Sequence, residues 1–240
     1  MPVVKWKKDG AVAIVSMSNS ENRINPVFNR EFLLVFDEIA KDKTISAVVI
    51  CSDDEKNWCQ GIDLRWMQER LTENDKAGIK NFIFGLGDIL KRVLFFPMPV
   101  IAAISGHAVA GGVLLACACD FRFMSADKGF FFLSEVDVGV PFLPSALALV
   151  RKAIPEYQLC EIIYTGKRYR ASELEPHHIL KACADKEALM SEAMAFARTF
   201  NKKRGIFGEL KKCANKNIAD LMAGDDLQHI EDFHFFVKEE

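Results

Sequence analysis

ISGHAVAGGVLLACACDFRF (Ile104–Phe123) gathers small residues where the chain must bend tightly, then an apolar run, then a single aspartate. A strand-like run, PVIAAISG (Pro99–Gly106), leads into it, and another, DFRFMSAD (Asp120–Asp127), leads out. The stretch therefore reads as strand, glycine turn, buried helix, strand. No charged side chain stands between Gly111 and Asp120. Backbone N–H groups at a helix start have no intrahelical partner and lie at the positive end of the helix dipole. Glycine lets a ligand come close to them. Two such groups converging on one point would hold an oxygen anion, a device worth about 3–4 kcal/mol per donor in a transition state. Spacing alone equally allows that Gly61, Gly111 and Gly112 serve only tight turns and close packing.

Outward from this stretch the pattern repeats. AVAIVSMS (Ala11–Ser18) and AVVICS (Ala47–Ser52) are strand-like, and NPVFNREFLLVFDEIAKD between them carries apolar residues at helical spacing. Asn25 before Pro26 is placed as an N-cap with proline at the first helical position. NWCQGIDLRWM (Asn57–Met67) is a second glycine turn between a strand and a helix, with Asp63 placed to cap that helix. Strand and helix in alternation predict an α/β layer arrangement. Beyond about Val140 the chain reads as helices with short connections, ending in EDFHFFVKEE, whose Phe233, Phe235 and Phe236 call for a core or another subunit.

The chain has 240 residues, half of them hydrophobic, enough for a sizeable core without disulfides or structural metals. A net charge of −2 gives no reason to expect nucleic acid as a partner. Seven cysteines with no CxxC pair read as small buried hydrophobes in a reducing compartment. No apolar stretch is long enough to span a bilayer, and the amino terminus has no secretory pattern, so a cytoplasmic protein away from membranes is expected. No metal-ligand spacing and no phosphate loop is present.

Four blocks together resemble the crotonase superfamily, the enoyl-CoA hydratase/isomerase family. CQGIDLRWM resembles its AGADLxxM loop, and Ile104–Phe123 its xxGxAxGGGxxLaxxCDxxxa segment. FFLSEVDVGVPFLPSALALVRKAI matches the next block, and YTGKRYRASEL resembles LTGxxxxAxEA. The resemblance implies a spiral of ββα units over residues 1–190, and a helical region over 191–240 that serves trimerisation and covers the active site. It further implies an acyl-CoA thioester substrate, no separate cofactor since coenzyme A belongs to the substrate, no metal, and a homotrimer or a dimer of trimers.

Carried over by position, the two backbone N–H groups that polarise the thioester carbonyl belong to Ile62 and Gly111. Hydratases of the family use two glutamates; the first position here is Leu114 and the second is Glu135. One carboxyl group suits a double-bond shift, in which Glu135 takes a proton from C2 and returns it at C4. SEVDVGVP resembles the corresponding block of Δ3,Δ2-enoyl-CoA isomerases. Other enolate chemistry (hydration, decarboxylation, thioester hydrolysis) and a non-catalytic acyl-CoA-binding role are the alternatives. Asp137 is an auxiliary acid if its segment is extended, since it would then share Glu135's side. The resemblance implies coenzyme A contacts at Ile24, Gln60, Asp63 and Arg65, with Lys202, Lys203 and Lys212 as further cations. Trp66, Phe82, Phe84, Phe132 and Phe142 are candidates for the acyl pocket wall, and His107 for packing near it.

Overall fold

Between Ala47 and Phe132 the strands come in successive pairs, Ala47–Ser52 with Asn57–Cys59, Val100–Ile104 with His107–Val109 and Phe121–Ser125 with Phe131–Phe132, whose members join different sheets. The structure, a computed structural model, describes residues 2–234. β1 (Val4–Asp9) and β2 (Val12–Met17) pair antiparallel, and α1 (Pro26–Lys41) follows. Asn25 caps α1, its side chain accepting the N–H groups of Val27 and Phe28 at 3.1 Å each, as the Asn-Pro signal predicts.

From there one unit repeats. β3 (Ala47–Ser52) and β4 (Asn57–Cys59) lead to α2 (Leu64–Thr72) and α3 (Lys76–Leu94). β5 (Val100–Ile104) and β6 (His107–Val109) lead to α4 (Gly111–Ala118). β7 (Phe121–Ser125) and β8 (Phe131–Phe132) lead to α5 (Glu135–Val138), α6 (Pro144–Ala153) and α7 (Glu156–Thr165). After α8 (Ala171–Leu174) come β9 (Lys181–Cys183), α9 (Lys186–Ala197), α10 (Arg204–Ala214), α11 (Lys216–Ala223) and α12 (Asp225–Glu231). The six-stranded sheet runs β1-β2-β3-β5-β7-β9, parallel from β2 onward, and the three-stranded sheet runs β4-β6-β8, also parallel. This is the spiral of ββα units expected from the sequence.

Period-two alternation decides where β5 sends its side chains. Val100, Ala102 and Ile104 enter the main core, while Ile101 and Ala103 meet Leu189, Ala193 and Met194 of α9 in a second cluster. With both faces covered, every residue of β5 is buried, which is why VIAAI carries no polar residue. The same holds for α4: all eight residues are buried, so the charge-free run after Gly111 marks a helix enclosed on every side.

Several segments depart from the sequence reading. β9 lies in a region read as wholly helical, and the short strands β4, β6 and β8 carry too few residues to show a period. Residues 135–138 form a helical turn rather than an extended segment, so Glu135 and Asp137 do not share a face. Cys59, Cys117, Cys119 and Cys183 are buried as expected, but Cys160 and Cys213 are exposed. Phe233 packs half-buried against the core; Phe235 and Phe236 lie outside the described residues.

Candidate active site

Two glycine turns, remote in sequence, meet at the C-terminal ends of β4 and β6. Gly61 has φ +74°, and a Cβ there would lie 2.8 Å from Val109 O and 2.9 Å from Gly111 N. A Cβ on Gly111 would meet Ile62 N at 3.5 Å. The backbones therefore touch where neither carries a side chain, and this brings the Ile62 and Gly111 nitrogens near one another. Neither donates a hydrogen bond to another described residue. Both turns are braced. Ile24 N–H donates to Gly61 O at 2.8 Å, Asp63 N–H donates to Ile24 O at 2.9 Å, and Ala110 N–H donates to Phe132 O at 3.0 Å. Ala110 itself has φ +48° and ψ −115°, a conformation that costs a residue with a Cβ about 1–3 kcal/mol. The turn ahead of α4 is thus held strained by its surroundings.

Ile62, Ala110 and Gly111 line a cavity of about 580 Å³, and Leu114 and Glu135 line it with them. Glu135 stands in the first turn of α5, with its Oε2 buried and without a partner. Burial pushes its carboxyl up from 4.5 to about 7, against hydrogen bonds from its own and Ser134's backbone that pull it down. Leu114, 7% exposed, is an apolar side chain on the same cavity, at the position the resemblance gives to a hydratase's first glutamate. The remaining wall is mostly apolar, from Leu64 and Met67 of α2, Ile83, Phe84 and Leu90 of α3, and Met222, Leu227 and Ile230 of α11 and α12. Such a site offers donors for a developing oxyanion, one carboxyl group able to take or give a proton near neutral pH, and an apolar chamber beside them.

The residues to which the resemblance gives coenzyme A contacts lie at different places around the cavity. Gln60 lines the cavity. Ile24 is fully buried, with its N–H and C=O bonded to the Gly61 loop, so it braces that loop rather than lining the cavity. Asp63 caps α2, accepting Trp66 N–H at 3.2 Å, and Arg65 is exposed on α2; neither lines the cavity. Lys202 and Lys203 are exposed and Lys212 pairs with Glu209, all away from the cavity. Phe84 and Phe142 line it; Trp66 packs on Phe82 and Phe132 lies under Arg168. His107 stacks on Phe130 at the far end of β6, its pKa lowered by burial and then by Lys56 and Arg168. Asp137 is exposed beside Gly166, on the outer side of α5.

Sequence reasoning missed Arg23, Asp88, Lys91, Ser145 and Asp226, which also line the cavity. Lys91 was within reach, because it follows Phe84, Gly87 and Asp88 at helical spacing on α3. Asp226 carried no such signal. Among the described residues no group of histidine, cysteine and carboxylate side chains is arranged to hold a metal ion, and no helix is long and apolar enough to cross a membrane.

Residues 7–234 match the family model for enoyl-CoA hydratase/isomerase. Among curated proteins, the chain is 31% identical over 173 residues to the peroxisomal enoyl-CoA delta isomerase 2 of Arabidopsis thaliana, covering 70% of this chain and 71% of that one. It is 33% identical over 197 residues to the human mitochondrial Delta(3,5)-Delta(2,4)-dienoyl-CoA isomerase, covering 78% of this chain but 60% of that protein. Among solved structures, an enoyl-CoA hydratase/isomerase family protein from Pseudomonas syringae superposes with a TM-score of 0.87 at 21% identity, over 98% of each chain.

Proposed function

The chain belongs to the enoyl-CoA hydratase/isomerase family, and on that premise we propose that it moves a double bond of an enoyl-CoA from the 3- to the 2-position. The thioester oxygen sits between the N–H groups of Ile62 and Gly111. Glu135, as carboxylate, takes a proton from C2. The electron pair spreads over a dienolate whose negative oxygen the two N–H groups hold. Glu135 then returns the proton to C4, and no water enters the balance. The observation that carries this reading is the Glu135 carboxyl group, its Oε2 buried and unpartnered, in the cavity that Ile62, Gly111 and Leu114 also line. A hydratase needs a second group to position water, and a hydrocarbon stands there.

We place the enzyme in the cytoplasm, where seven free thiols suit the reducing conditions. The helical region over 191–234 covers the site and carries the contacts of a homotrimer, alone or paired with another. Two features of that region support this: Met222, Leu227 and Ile230 line the cavity, and α10 turns Ile206 and Leu210 outward at 58% and 61% exposure.

The test is conversion of a 3-enoyl-CoA to its 2-enoyl isomer by wild type and by Glu135→Gln, with hydration of the product followed in the same reaction. Isomerisation by wild type, lost by at least about a hundredfold in the variant and without hydration, is the expected result. Hydration by wild type would overturn the one-carboxyl mechanism.

A further inference from the structure

We infer that the contact between Asp226 and Ser145 is a latch that sets how long an acyl chain the cavity accepts. This rests on reading the cavity as an acyl-thioester site. α12 has seven residues, too few to hold its place by helical propensity alone. It nevertheless supplies Leu227 and Ile230 to the cavity wall, so something must fix it there. Asp226 does so from inside: it is 6% exposed, and its carboxylate accepts the N–H of Ser145 at 3.0 Å and the Ser145 hydroxyl. Ser145 lies in the first turn of α6, a ten-residue helix with no side-chain cap of its own. A carboxylate there meets the positive helix end and unpaired N–H groups, so α12 caps α6 from outside. The other polar tie of α12, Lys80 to Glu231 at 2.6 Å, is solvent-exposed on the Glu231 side and correspondingly weak.

The latch closes the cavity with a mixed wall. Leu227 and Ile230 give a growing acyl tail apolar contact, and Asp226 beside them bars further growth, since a methylene pressed on a buried carboxylate offers it no hydrogen bond. About 580 Å³ must hold the thioester as well as the tail, so the position of this wall decides where the accepted chain length ends. Up to the wall, each added methylene should tighten binding about fourfold; beyond it the gain should stop.

The experiment is calorimetric binding of saturated acyl-CoAs from butanoyl to tetradecanoyl, to wild type, Asp226→Ala and Leu227→Ala. Saturated chains are not turned over, so binding is read without chemistry. Wild type should show a break in affinity against chain length, and both variants should move that break outward by about two carbons, the space a truncated side chain yields. Leu227 is 44% exposed, so its variant keeps the test intact if Asp226→Ala does not fold. A break at the same length in the folded variants overturns the latch alone. Affinity that climbs unbroken in wild type also overturns it. Wild type binding no acyl-CoA of any length overturns the acyl-CoA reading itself, and the latch with it.

Discussion

At the scale of single residues, Glu135 is the place where stability is set against chemistry. Its carboxyl titrates at about 7 when folded and near 4.5 when unfolded, because burial penalises the charged form. Between those values the folded chain holds a proton that the unfolded chain has released, so folding stability falls as pH rises across the window. Below it the group contributes no penalty; above it the whole penalty is present, at most about 3 kcal/mol. Glu135→Gln should therefore unfold at higher denaturant than wild type at pH 8 and show no such gain at pH 4. Equal gains at both would mean the carboxyl is not desolvated. Wild-type turnover should rise with pH through about 7, since the base must be ionised to take the C2 proton. Ile62, Gly111 and Glu135 were legible through the family resemblance alone, position by position within its short blocks, since spacing by itself leaves the glycines open to a packing role. Asp226 was not legible, because its partner Ser145 lies 81 residues away and only the packing of α12 on α6 joins them.

Among the elements, α10 explains the single aspartate that ends the opening stretch. Its Lys211 is buried, with the ammonium 2.9 Å from Asp120 Oδ2 and 3.1 Å from Val93 O. The same Asp120 oxygen accepts Val100 N–H at 2.8 Å, so one carboxylate holds the start of β5 and the inner face of α10 together. Burial pulls the Lys211 pKa down and Asp120 pushes it back up. Removing one partner strands the other: Asp120→Ala should cost about 3–5 kcal/mol in denaturant unfolding. Asp120→Asn combined with Lys211→Met should recover most of that, since neither charge is then left alone. A single variant costing under about 1 kcal/mol would show that water reaches the pair. Helices and long strands could be read in advance because they bury one face periodically, as α1 does behind its Asn25 cap. The three-stranded sheet could not, because β4, β6 and β8 have two or three residues each and owe their pairing to neighbours far along the chain.

For the whole molecule, the same helix points beyond one chain. α10 turns Gly208 and Lys211 inward and presents Ile206, Leu210 and Cys213 to solvent at helical spacing, the reverse of a surface helix that serves one core. On α7, Tyr157 and Tyr164 are also exposed, at 69% and 68%. Scattered apolar residues on a surface need no explanation, but an apolar stripe on a helix whose other face is already packed does. Burying it against a second copy removes Ile206 and Leu210 from water, a gain of about 1.5–3 kcal/mol for each side chain fully covered. The net charge of −2 per chain opposes such association only weakly. Sedimentation of wild type should give three times the chain mass or a multiple of it. Ile206→Asp with Leu210→Asp should give the single-chain mass with an unchanged far-ultraviolet circular dichroism spectrum, because both residues face away from their own core. Wild type sedimenting as one chain at micromolar concentration would remove the trimer from the proposal. It would leave the cavity, which this chain builds from its own residues, as a complete site in the monomer.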